Sequence, residues 1–479
     1  MLIYNTQTRQ KEPFSTLTPG QVKMYCCGVT VYDYCHLGHA RSYIVWDVIR
    51  RYLTWRGYQV TYIQNFTDID DKILTRAQRE GVSMTEISEC YIQAYFEDAR
   101  RLNIQEATNY PRVTEHIPQI HQLIQELEKK GYTYNVNGDV YYKVNQFQDY
   151  GKLSGRHLEQ MQRGASGRLS ELDTDKKQHS SDFVLWKAAK ADEPSWDSPW
   201  GRGRPGWHIE CSAMVRSLLG DTIDIHGGGG DLVFPHHENE IAQSEAVTGQ
   251  PLARYWLHNG MVRVNGEKMA KSTGNFTTIR DLLNRPVDPM VLRLFVLQAH
   301  YRKPLDFTEA AIDSARHSWN TLQQGLLWGN SHQSELSLDI PPFSAPISRF
   351  QAVMDDDFNT AAALAVIFEL AKDLRHESAN KQENIAKWQT LVYLAKILGL
   401  EANPEPENLS LSLPETAIQD LIIQRNSARK AKNYAESDLL REQLKTMGVT
   451  LVDLPNGQTQ WYPSEKKANT AEIQDFLAK

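Results

Sequence analysis

The N-terminal part of the chain alternates between strand-like and helix-like segments, and this order restricts the possible folds more than any other feature. Residues 23–32 are rich in β-branched and aromatic side chains, which favour a strand. Residues 38–56 carry apolar side chains at helical spacing and are followed by Gly57, a residue typical of a helix C-terminus. Residues 58–66 resemble a strand again. Strand–helix–strand order indicates parallel strands joined by a crossover helix, so the sequence predicts an α/β fold.

This pattern is interrupted and then resumes. Residues 127–199 contain a short strand and polar loops, and we interpret them as an insertion. A helix over residues 207–219, a strand over 221–226 and a helix over 235–247 restore the α/β order. Residues beyond 282 show helical periodicity, with no strand pattern until the far C-terminus.

These segments predict a Rossmann-like parallel-sheet catalytic domain split by an insertion, followed by an α-helical bundle and a small mixed C-terminal unit. A chain of 479 residues is too long for one core, which agrees with several domains. The predicted parts are residues 1–126 (first half of the catalytic domain), 127–199 (insertion, or connective domain), 200–282 (second half), 283–400 (helical bundle) and 415–479 (C-terminal unit).

The composition indicates the cellular compartment of the protein. Five cysteines, an odd number, argue against a disulfide framework and for a reducing compartment. No window approaches the roughly 18 apolar residues that cross a bilayer, and residues 1–22 lack the pattern of a secretion signal. We therefore expect a cytoplasmic protein without a membrane partner. No feature of the sequence requires a dimer, so we expect a monomer.

The net charge is −7, but one segment near the C-terminus is basic. Residues 421–446 contain six Lys or Arg against three Asp or Glu. A local stripe of this kind suits a nucleic acid, and it equally suits a solvated helix with compensating charges. Composition leaves both interpretations open.

His36, Gly38 and His39 form an HxGH tetrapeptide at a predicted strand-to-helix boundary. Helix N-termini bind phosphate through unpaired N–H groups and the helix dipole, and histidines there can donate to phosphate oxygens. Gly38 would let a flat base approach the backbone closely. The alternative is a pair of capping or surface histidines, because the tetrapeptide alone is a weak signal.

Lys268 and Lys271 belong to a second motif, KMxKS, in a loop flanked by Gly266 and Gly274. Two cations on such a loop suit the negative charge that develops on a transferring phosphate. Taken alone, a solvated basic loop explains the same residues. The combination of an early HxGH with a late KMxKS in one split α/β domain is far more specific, and it is the paired pattern of class I aminoacyl-tRNA synthetases.

Four dispersed residues have the chemistry of a metal site. His236 and Glu240 are four positions apart, so they project from one face of a predicted helix. Cys27 lies in the first predicted strand and Cys211 in a predicted helix. Two thiolates, one imidazole and one carboxylate form a suitable ligand set for Zn²⁺. Spacing alone also allows cysteines that only pack in the core, or a neighbouring residue as ligand: Cys26, His237 or Glu238.

Several longer stretches resemble the cysteinyl-tRNA synthetase family of class I enzymes. They are YCCGVTVYD at 25–33, NFTDIDDK at 65–72, GWHIEC at 206–211 and FPHHENE at 234–240. The resemblance covers nearly the whole chain and implies ATP-dependent ligation of L-cysteine to tRNA(Cys) through a cysteinyl-adenylate. It also implies one Zn²⁺ that selects cysteine by its thiol, Mg²⁺ with ATP, and the zinc ligands Cys27, Cys211, His236 and Glu240.

The resemblance also assigns roles around the active site. The catalytic residues that it implies are His36, His39, Lys268 and Lys271, with Gly38 and Lys271 at ATP. The amino-acid pocket that it implies contains Thr30, Thr67 and Trp207, with a core aromatic as the alternative for Trp207. Ala270 departs from the family pattern, which usually has serine there. Both lysines of the loop remain, so we expect activity to survive.

Outside the catalytic domain, the resemblance implies contacts with tRNA. The bundle over residues 283–400 would contact the tRNA stem, and residues 415–479 would bind the anticodon. Single-stranded bases are recognised by stacking and by hydrogen bonds to their edges, and phosphates by cations. The candidate tRNA contacts are Arg425, Arg429, Lys432, Asp453 and Trp461.

Three other functions compete with this interpretation. A cysteine–amino-sugar ligase, as in mycothiol synthesis, shares the adenylating fold and the zinc site but lacks the tRNA-reading extension. A cytidylyltransferase also uses HxGH, but it would explain neither the dispersed metal ligands nor the length. A non-catalytic tRNA-binding paralogue is disfavoured because HxGH, both KMxKS lysines and all four ligands are present.

Overall fold

The structure is a computed structural model that describes residues 1–156, 176–191, 193–269, 276–285, 287–335, 342–376, 378–402, 415–431, 433–446, 449–453 and 459–463. The chain separates into two compact units, Met1–Glu401 and Ala402–Lys479. The finer domain boundaries given above stay predictions. In the part of the chain that is described, no helix is both long and apolar enough to cross a bilayer.

The strands of the described residues are short and spread along the chain. They are β1 (Leu2–Asn5), β2 (Gln10–Pro13), β3 (Gln21–Thr30), β4 (Gln59–Thr67), β5 (Thr133–Val136), β6 (Asp139–Tyr142), β7 (Phe183–Ala188), β8 (Gly203–Pro205), β9 (Ile223–Gly229), β10 (Ala253–Asn259), β11 (Val262–Val264), β12 (Glu267–Lys268), β13 (Leu305–Phe307), β14 (Val449–Asp453) and β15 (Thr459–Pro463).

Helices dominate the later half. They are α1 (Leu37–Trp55), α2 (Asp71–Glu80), α3 (Met84–Arg101), α4 (Ile117–Lys129), α5 (Trp207–Leu219), α6 (Glu238–Thr248), α7 (Ile279–Leu283), α8 (Pro289–Leu297), α9 (Glu309–Leu327), α10 (Ser344–Met354), α11 (Thr360–Asp373), α12 (Lys381–Ile397), α13 (Glu415–Lys430) and α14 (Tyr434–Thr446). Short 3₁₀ or π turns lie at Val113–Glu115, Val144–Gln146, Val233–His237 and Trp328–Glu335.

The core of the first unit is a four-stranded sheet with the order β10-β9-β3-β4, in which every neighbouring pair is parallel. Helix α1 connects β3 to β4, so the predicted parallel α/β sheet is confirmed. Strand β10 was not predicted, and β9 continues into the glycine run to Gly229. A Cβ added at Gly227 would lie 2.8 Å from Cys26 Sγ. The glycine therefore lets β9 lie close to its neighbour at a point where a side chain would not fit.

Strands β5, β6 and β7 of the predicted insertion form a separate sheet with β8, which lies just beyond residue 199; the order is β5-β6-β7-β8 and neighbouring strands are antiparallel. A loop at its base reaches α6. The buried Glu238 carboxylate accepts the backbone N–H groups of Gly151 and Ser154 at 2.9 and 2.8 Å, and the Tyr150 hydroxyl donates to Asn239. This contact anchors the insertion to the helix that carries Glu240.

A small sheet with the order β12-β11-β13 follows the main one, and β11 pairs with β13 in parallel. The prediction of no strand between residue 282 and the far C-terminus is therefore wrong at Leu305–Phe307. Three residues are too few to produce a periodic pattern, and the strand exists because β11 offers an edge to pair with.

The helical part of the first unit contains α8 to α12, and the second unit has a core of its own. That core is formed by the buried side chains of Ile418, Ile422, Leu444, Val449 and Leu451. The hairpin of β14 and β15 is antiparallel, with Leu451 opposite Trp461. Helix and hairpin thus form the small mixed fold that the sequence predicts for this region.

Candidate active site

Cys27 reaches the site because β3 changes register beside it. The pairing of β3 with β4 shifts between Cys26 and Val29, as in a β-bulge. Within the bulge, the Gly28 N–H donates to Asn65 Oδ1 at 2.9 Å, and a Cβ added at Gly28 would lie 1.5 Å from the Asn65 carbonyl oxygen. The strands approach too closely there for any other residue. Cys26 is fully buried against the core instead, and it takes part in neither candidate metal cluster of the described residues.

Cys27, Cys211, His236 and Glu240 converge with all four donor atoms within 4.8 Å of one another. The two sulfurs are 3.8 Å apart, Cys27 Sγ is 3.5 Å from Glu240 Oε1, and His236 Nε2 is 3.0 Å from the same oxygen. A tetrahedral zinc site with Zn–S bonds of about 2.3 Å places its sulfurs about 3.8 Å apart. The donor types and their spacing therefore fit the predicted ligand set.

A second set, Cys27, His226, His237 and Glu240, satisfies the same 4.8 Å limit and shares two members with the first. His226 Nε2 lies 2.9 Å from Glu240 Oε2, and His237 Nδ1 lies 2.8 Å from His258 Nε2. Two thiolates favour Zn²⁺ more than one thiolate with an added imidazole does. In this second set His237 Nε2 lies 3.3 Å from Cys27 Sγ, so the first ligand set stays a prediction.

Glu238, the other alternative ligand, points elsewhere. Its two oxygens accept backbone N–H groups of the insertion loop, from Gly151 and Ser154. The carboxylate is already satisfied by these bonds and is absent from both candidate clusters of the described residues.

The pKa shifts of the cluster reflect its burial and its close charge pairs. Burial raises the pKa of the Cys27 thiol, whereas a hydrogen bond from Cys27 lowers the pKa of Cys211 to about 6. Burial opposes charge on His236, but the Glu240 carboxylate outweighs it and raises the His236 pKa to about 9. Burial likewise opposes charge on Glu240, but His226 and His236 hold its pKa well below the usual range. The buried Glu240 carboxylate is thus paired with a protonated His236, and a metal ion bound by these four residues would displace that proton.

The HxGH residues cap α1. His36 Nδ1 accepts the His39 N–H at 3.3 Å, His39 Nδ1 accepts the His36 N–H at 3.2 Å, and the two rings stack at 3.7 Å. The capping alternative raised by the sequence is therefore observed, and it does not exclude phosphate binding. An acceptor at Nδ1 leaves the ring proton on Nε2 in both residues, which makes each Nε2 a donor.

Gly38 lies between this cap and the KMxKS loop. A Cβ added there would lie 2.8 Å from the His36 ring and 3.8 Å from Met269 Cε. The two sequence motifs thus meet at Gly38. Lys268 ends β12, while Ala270 and Lys271 fall outside the described residues.

The predicted amino-acid pocket lies at the carboxyl ends of the central strands. Thr30 and Thr67 are paired across β3 and β4, and the Thr67 hydroxyl donates to Glu210 Oε2 at 3.0 Å. The half-buried Trp207 stacks on the His236 ring, with ring centroids 4.2 Å apart. Trp207 therefore contacts a candidate ligand directly, and its role in the amino-acid pocket stays a prediction.

Sequence reasoning missed Glu210, His226 and His258, all buried beside the cluster. Glu210 precedes Cys211 in the GWHIEC stretch, and its position next to a candidate ligand was an available signal. His226 and His258 end in the site only because β9 and β10 are paired in the sheet. Neither has a local pattern that marks it.

The candidate tRNA contacts differ in how exposed their side chains are. Arg425 on α13 is 3% exposed and donates to Thr459 Oγ1 at 3.3 Å, so it holds the helix to β15. Arg429 on the same helix is exposed. Trp461 is half-buried against the small core. Asp453 ends β14, and Lys432 falls outside the described residues.

The chain matches the family described as the tRNA synthetases class I (C) catalytic domain over residues 13–317, more than half of its length, and the DALR domain over residues 349–403. A solved structure of Mycobacterium tuberculosis methionyl-tRNA synthetase in complex with methionyl-adenylate has a TM-score of 0.55 at 16% identity. The match covers 79% of this chain and 89% of the methionyl-tRNA synthetase chain, and it shows a similar fold only.

Full-length relatives are much closer. The cysteine–tRNA ligase of Trichormus variabilis is 63% identical, over 97% of this chain and 100% of that protein. The cysteine–tRNA ligase of Synechococcus elongatus is 59% identical, over 96% and 98%. With this identity over nearly its full length and a class I catalytic domain, the chain belongs to the cysteine–tRNA ligase family of class I aminoacyl-tRNA synthetases.

Proposed function

We propose that this chain activates L-cysteine with ATP and transfers it to tRNA(Cys). Two observations carry the proposal: the HxGH cap meets Met269 of the KMxKS loop at Gly38, and a Cys–Cys–His–Glu cluster includes Cys27 of β3, the strand that precedes the HxGH cap. Cysteine activation requires both a nucleotide site and a thiol-selective site, and these two groups of residues are the candidates for them.

Cys27, Cys211, His236 and Glu240 are the proposed Zn²⁺ ligands. When bound, the metal would act as a Lewis acid that accepts soft ligands and so binds the substrate thiolate more strongly than the hydroxyl of serine. The protein's own contribution is orientation. His226 holds Glu240 Oε2, which directs Oε1 towards Cys27 and His236, and Trp207 stacks on the His236 ring.

Adenylate formation needs no general base, because the cysteine carboxylate is already ionised when it attacks the α-phosphorus of ATP. Catalysis then consists of positioning and charge stabilisation. Burial lowers the pKa of His39, so its ring is neutral, and with Nδ1 used in the cap its Nε2 proton is available to a phosphate oxygen. Lys268 and Lys271 stabilise the leaving pyrophosphate, and Mg²⁺ accompanies ATP.

The second step passes the aminoacyl group to a ribose hydroxyl of the terminal tRNA adenosine. We assign anticodon contacts to the C-terminal unit, through the exposed Arg429 and through Lys432, Asp453 and Trp461. Arg425 supports this surface from inside through its bond to Thr459. We further propose that the protein is a cytoplasmic monomer.

ATP–pyrophosphate exchange tests the first step, with cysteine and serine compared as substrates at measured zinc content. Exchange that depends on cysteine and is absent with serine supports the proposal. The product of the second step is then assayed with total tRNA and with an amino sugar as alternative acceptors. Transfer to the amino sugar alone would replace the proposal with the ligase alternative.

A further inference from the structure

A buried arginine connects the HxGH helix to the start of the KMxKS hairpin. Arg41 lies on α1, two residues after His39, and its side chain is 0% exposed. Its guanidinium donates to the Met261 carbonyl at 3.0 Å, to the Tyr301 carbonyl at 3.1 Å and to the Lys303 carbonyl. The first acceptor precedes β11 and the other two precede β13, so one side chain joins three elements.

The backbone around these acceptors is packed closely. The Gly260 N–H donates to the Tyr301 carbonyl at 2.8 Å, and a Cβ added at Gly260 would lie 2.4 Å from the Lys303 carbonyl oxygen. Ser42, next to Arg41, donates to Asn259 Oδ1 at 2.9 Å. The segment that leads into β11 and β12 is therefore held to α1 at adjacent positions and has little freedom to shift.

The other side of the loop is also tied to the HxGH segment. The Leu37 N–H donates to the Thr277 carbonyl at 3.2 Å, and the Ile279 N–H donates to the Cys35 carbonyl at 2.8 Å. The Phe276 ring lies edge-on to His36 at 5.5 Å. Downstream of the loop the backbone itself makes the connection, whereas upstream the connection depends on side chains, those of Arg41 and Ser42.

We propose that Arg41 is a positioning residue for adenylate formation, which holds the upstream end of the KMxKS hairpin in register with the HxGH histidines. The proposal rests on the proposed function, because only a reaction that uses both motifs at one nucleotide needs this register. An arginine is required, since its planar guanidinium spreads its donors over separate nitrogens, whereas the three donors of lysine all lie on one nitrogen and cannot span the same carbonyls.

The test compares Arg41→Lys with the unmodified protein in cysteine-dependent ATP–pyrophosphate exchange. A small misplacement of catalytic groups costs about 100-fold in rate, so kcat should fall by about that factor. The KM for cysteine and the zinc content should stay unchanged, because the Arg41 guanidinium bonds to the carbonyls of Met261, Tyr301 and Lys303, which belong to neither candidate metal cluster. An unchanged kcat, or a loss of zinc that accounts for the fall, overturns the proposal.

Arg293→Lys is the matched control. Arg293 is also 0% exposed and also donates to backbone carbonyls, those of Leu398 and Leu102, but it lies on α8 and pairs with Asp47 of α1, eight positions after His39. This variant should lower the melting temperature without lowering kcat. A fall in kcat equal to that of Arg41→Lys would mean that any damaged buried arginine has the same effect, which contradicts a positioning role.

A double variant separates positioning from general damage. If Arg41 acts through the hairpin, the double variant Arg41→Lys with Lys268→Ala should have nearly the same kcat as Lys268→Ala alone. A double variant whose fall in kcat is the product of the two single falls would contradict the positioning role. Should Arg41→Lys fail to fold, Ser42→Ala decides: a lower kcat at constant KM for cysteine supports the proposal and an unchanged kcat overturns it. An unmodified protein without exchange would instead refute the proposed function.

Discussion

Glu240 uses its two carboxylate oxygens for different partners. Oε2 lies 2.9 Å from His226 Nε2, while Oε1 faces Cys27 at 3.5 Å and His236 at 3.0 Å. The nearby histidines hold the pKa of this buried carboxyl low despite the opposing effect of burial. His226 thus fixes Oε2, and Oε1 faces the other cluster residues. Contacts of this kind commonly orient a metal ligand.

The choice between the two ligand sets can be decided by substitution at the positions that they do not share. Cys211→Ala should abolish stoichiometric zinc after dialysis against a weak chelator, because a thiolate ligand is lost. His237→Gln is the control and should retain zinc. Elemental analysis of both variants makes the measurement. Zinc lost from the His237 variant and kept by the Cys211 variant would favour the second set.

His258 makes stability depend on pH. Burial, aided by His226, lowers its pKa to about 3, while an unperturbed histidine titrates at 6.5. The unfolded chain therefore binds a proton below pH 6.5 that the folded chain refuses. The stability from this group is complete above that pH and is lost progressively as the pH falls towards 3, by about 1.4 kcal/mol per pH unit.

The measurement is the free energy of unfolding in urea at about pH 7 and about pH 5, for the unmodified protein and for His258→Gln. The unmodified protein should lose about 2 kcal/mol more than the variant over this interval. Comparing the two proteins cancels the other groups that titrate there. Equal losses would show that His258 accepts its proton in the folded state.

At the scale of elements, the bulge in β3 determines where Cys27 points. Gly28→Ala should destabilise the protein by several kcal/mol and remove zinc, because a Cβ would lie 1.5 Å from the Asn65 carbonyl oxygen and the strands would have to separate. Gly57→Ala is the control. Nothing lies within 4 Å of its added Cβ, so it should cost only the backbone strain of a φ of 90°, about 1–2 kcal/mol.

Thermal melting and elemental analysis measure both glycine variants. A Gly28 variant that keeps its zinc and melts with the Gly57 variant would show that the bulge tolerates a side chain. The cluster would then depend less on the register of β3 than its geometry indicates.

Elements with long, regular patterns could be predicted from the sequence. Helix α1 has a nearly continuous buried face and α5 spans the predicted residues 207–219, because burial along a whole helix produces a strong period. Strand β13 has only three residues, and β10 is a buried parallel strand whose apolar centre shows no alternation. Such strands are determined by their neighbours in the sheet, which the local sequence does not show.

The candidate site divides in the same way. Its proposed ligands could be found because cysteine, histidine and glutamate are recognisable by chemistry and occur in distinctive stretches. His226 and His258 could not, since they reach the site only through β9 and β10, where His258 is paired with Gly228. Arg41 was missed for a related reason: its role depends on carbonyls more than 200 positions away.

At the scale of the molecule, the candidate active site and the C-terminal unit belong to two separately packed parts of the chain. All four proposed zinc ligands and the HxGH cap lie in Met1–Glu401, while Ala402–Lys479 has its own core around Leu444. The net charge of −7 opposes indiscriminate binding of polyanions, so tRNA recognition should depend on local cations such as Arg429. Separate cores also predict separate losses of function.

Removal of residues 402–479 should therefore leave cysteine-dependent pyrophosphate exchange unchanged and lower kcat/KM for tRNA charging by at least about 100-fold. Loss of two stacked or hydrogen-bonded bases, at about 1–3 kcal/mol each, accounts for that factor. Both assays are run on one preparation, with the melting temperature of the truncated protein as a check on folding. Parallel loss of exchange and charging in a folded truncation would mean that the C-terminal unit contributes to adenylate formation, because a unit that only reads tRNA has no effect on a reaction from which tRNA is absent.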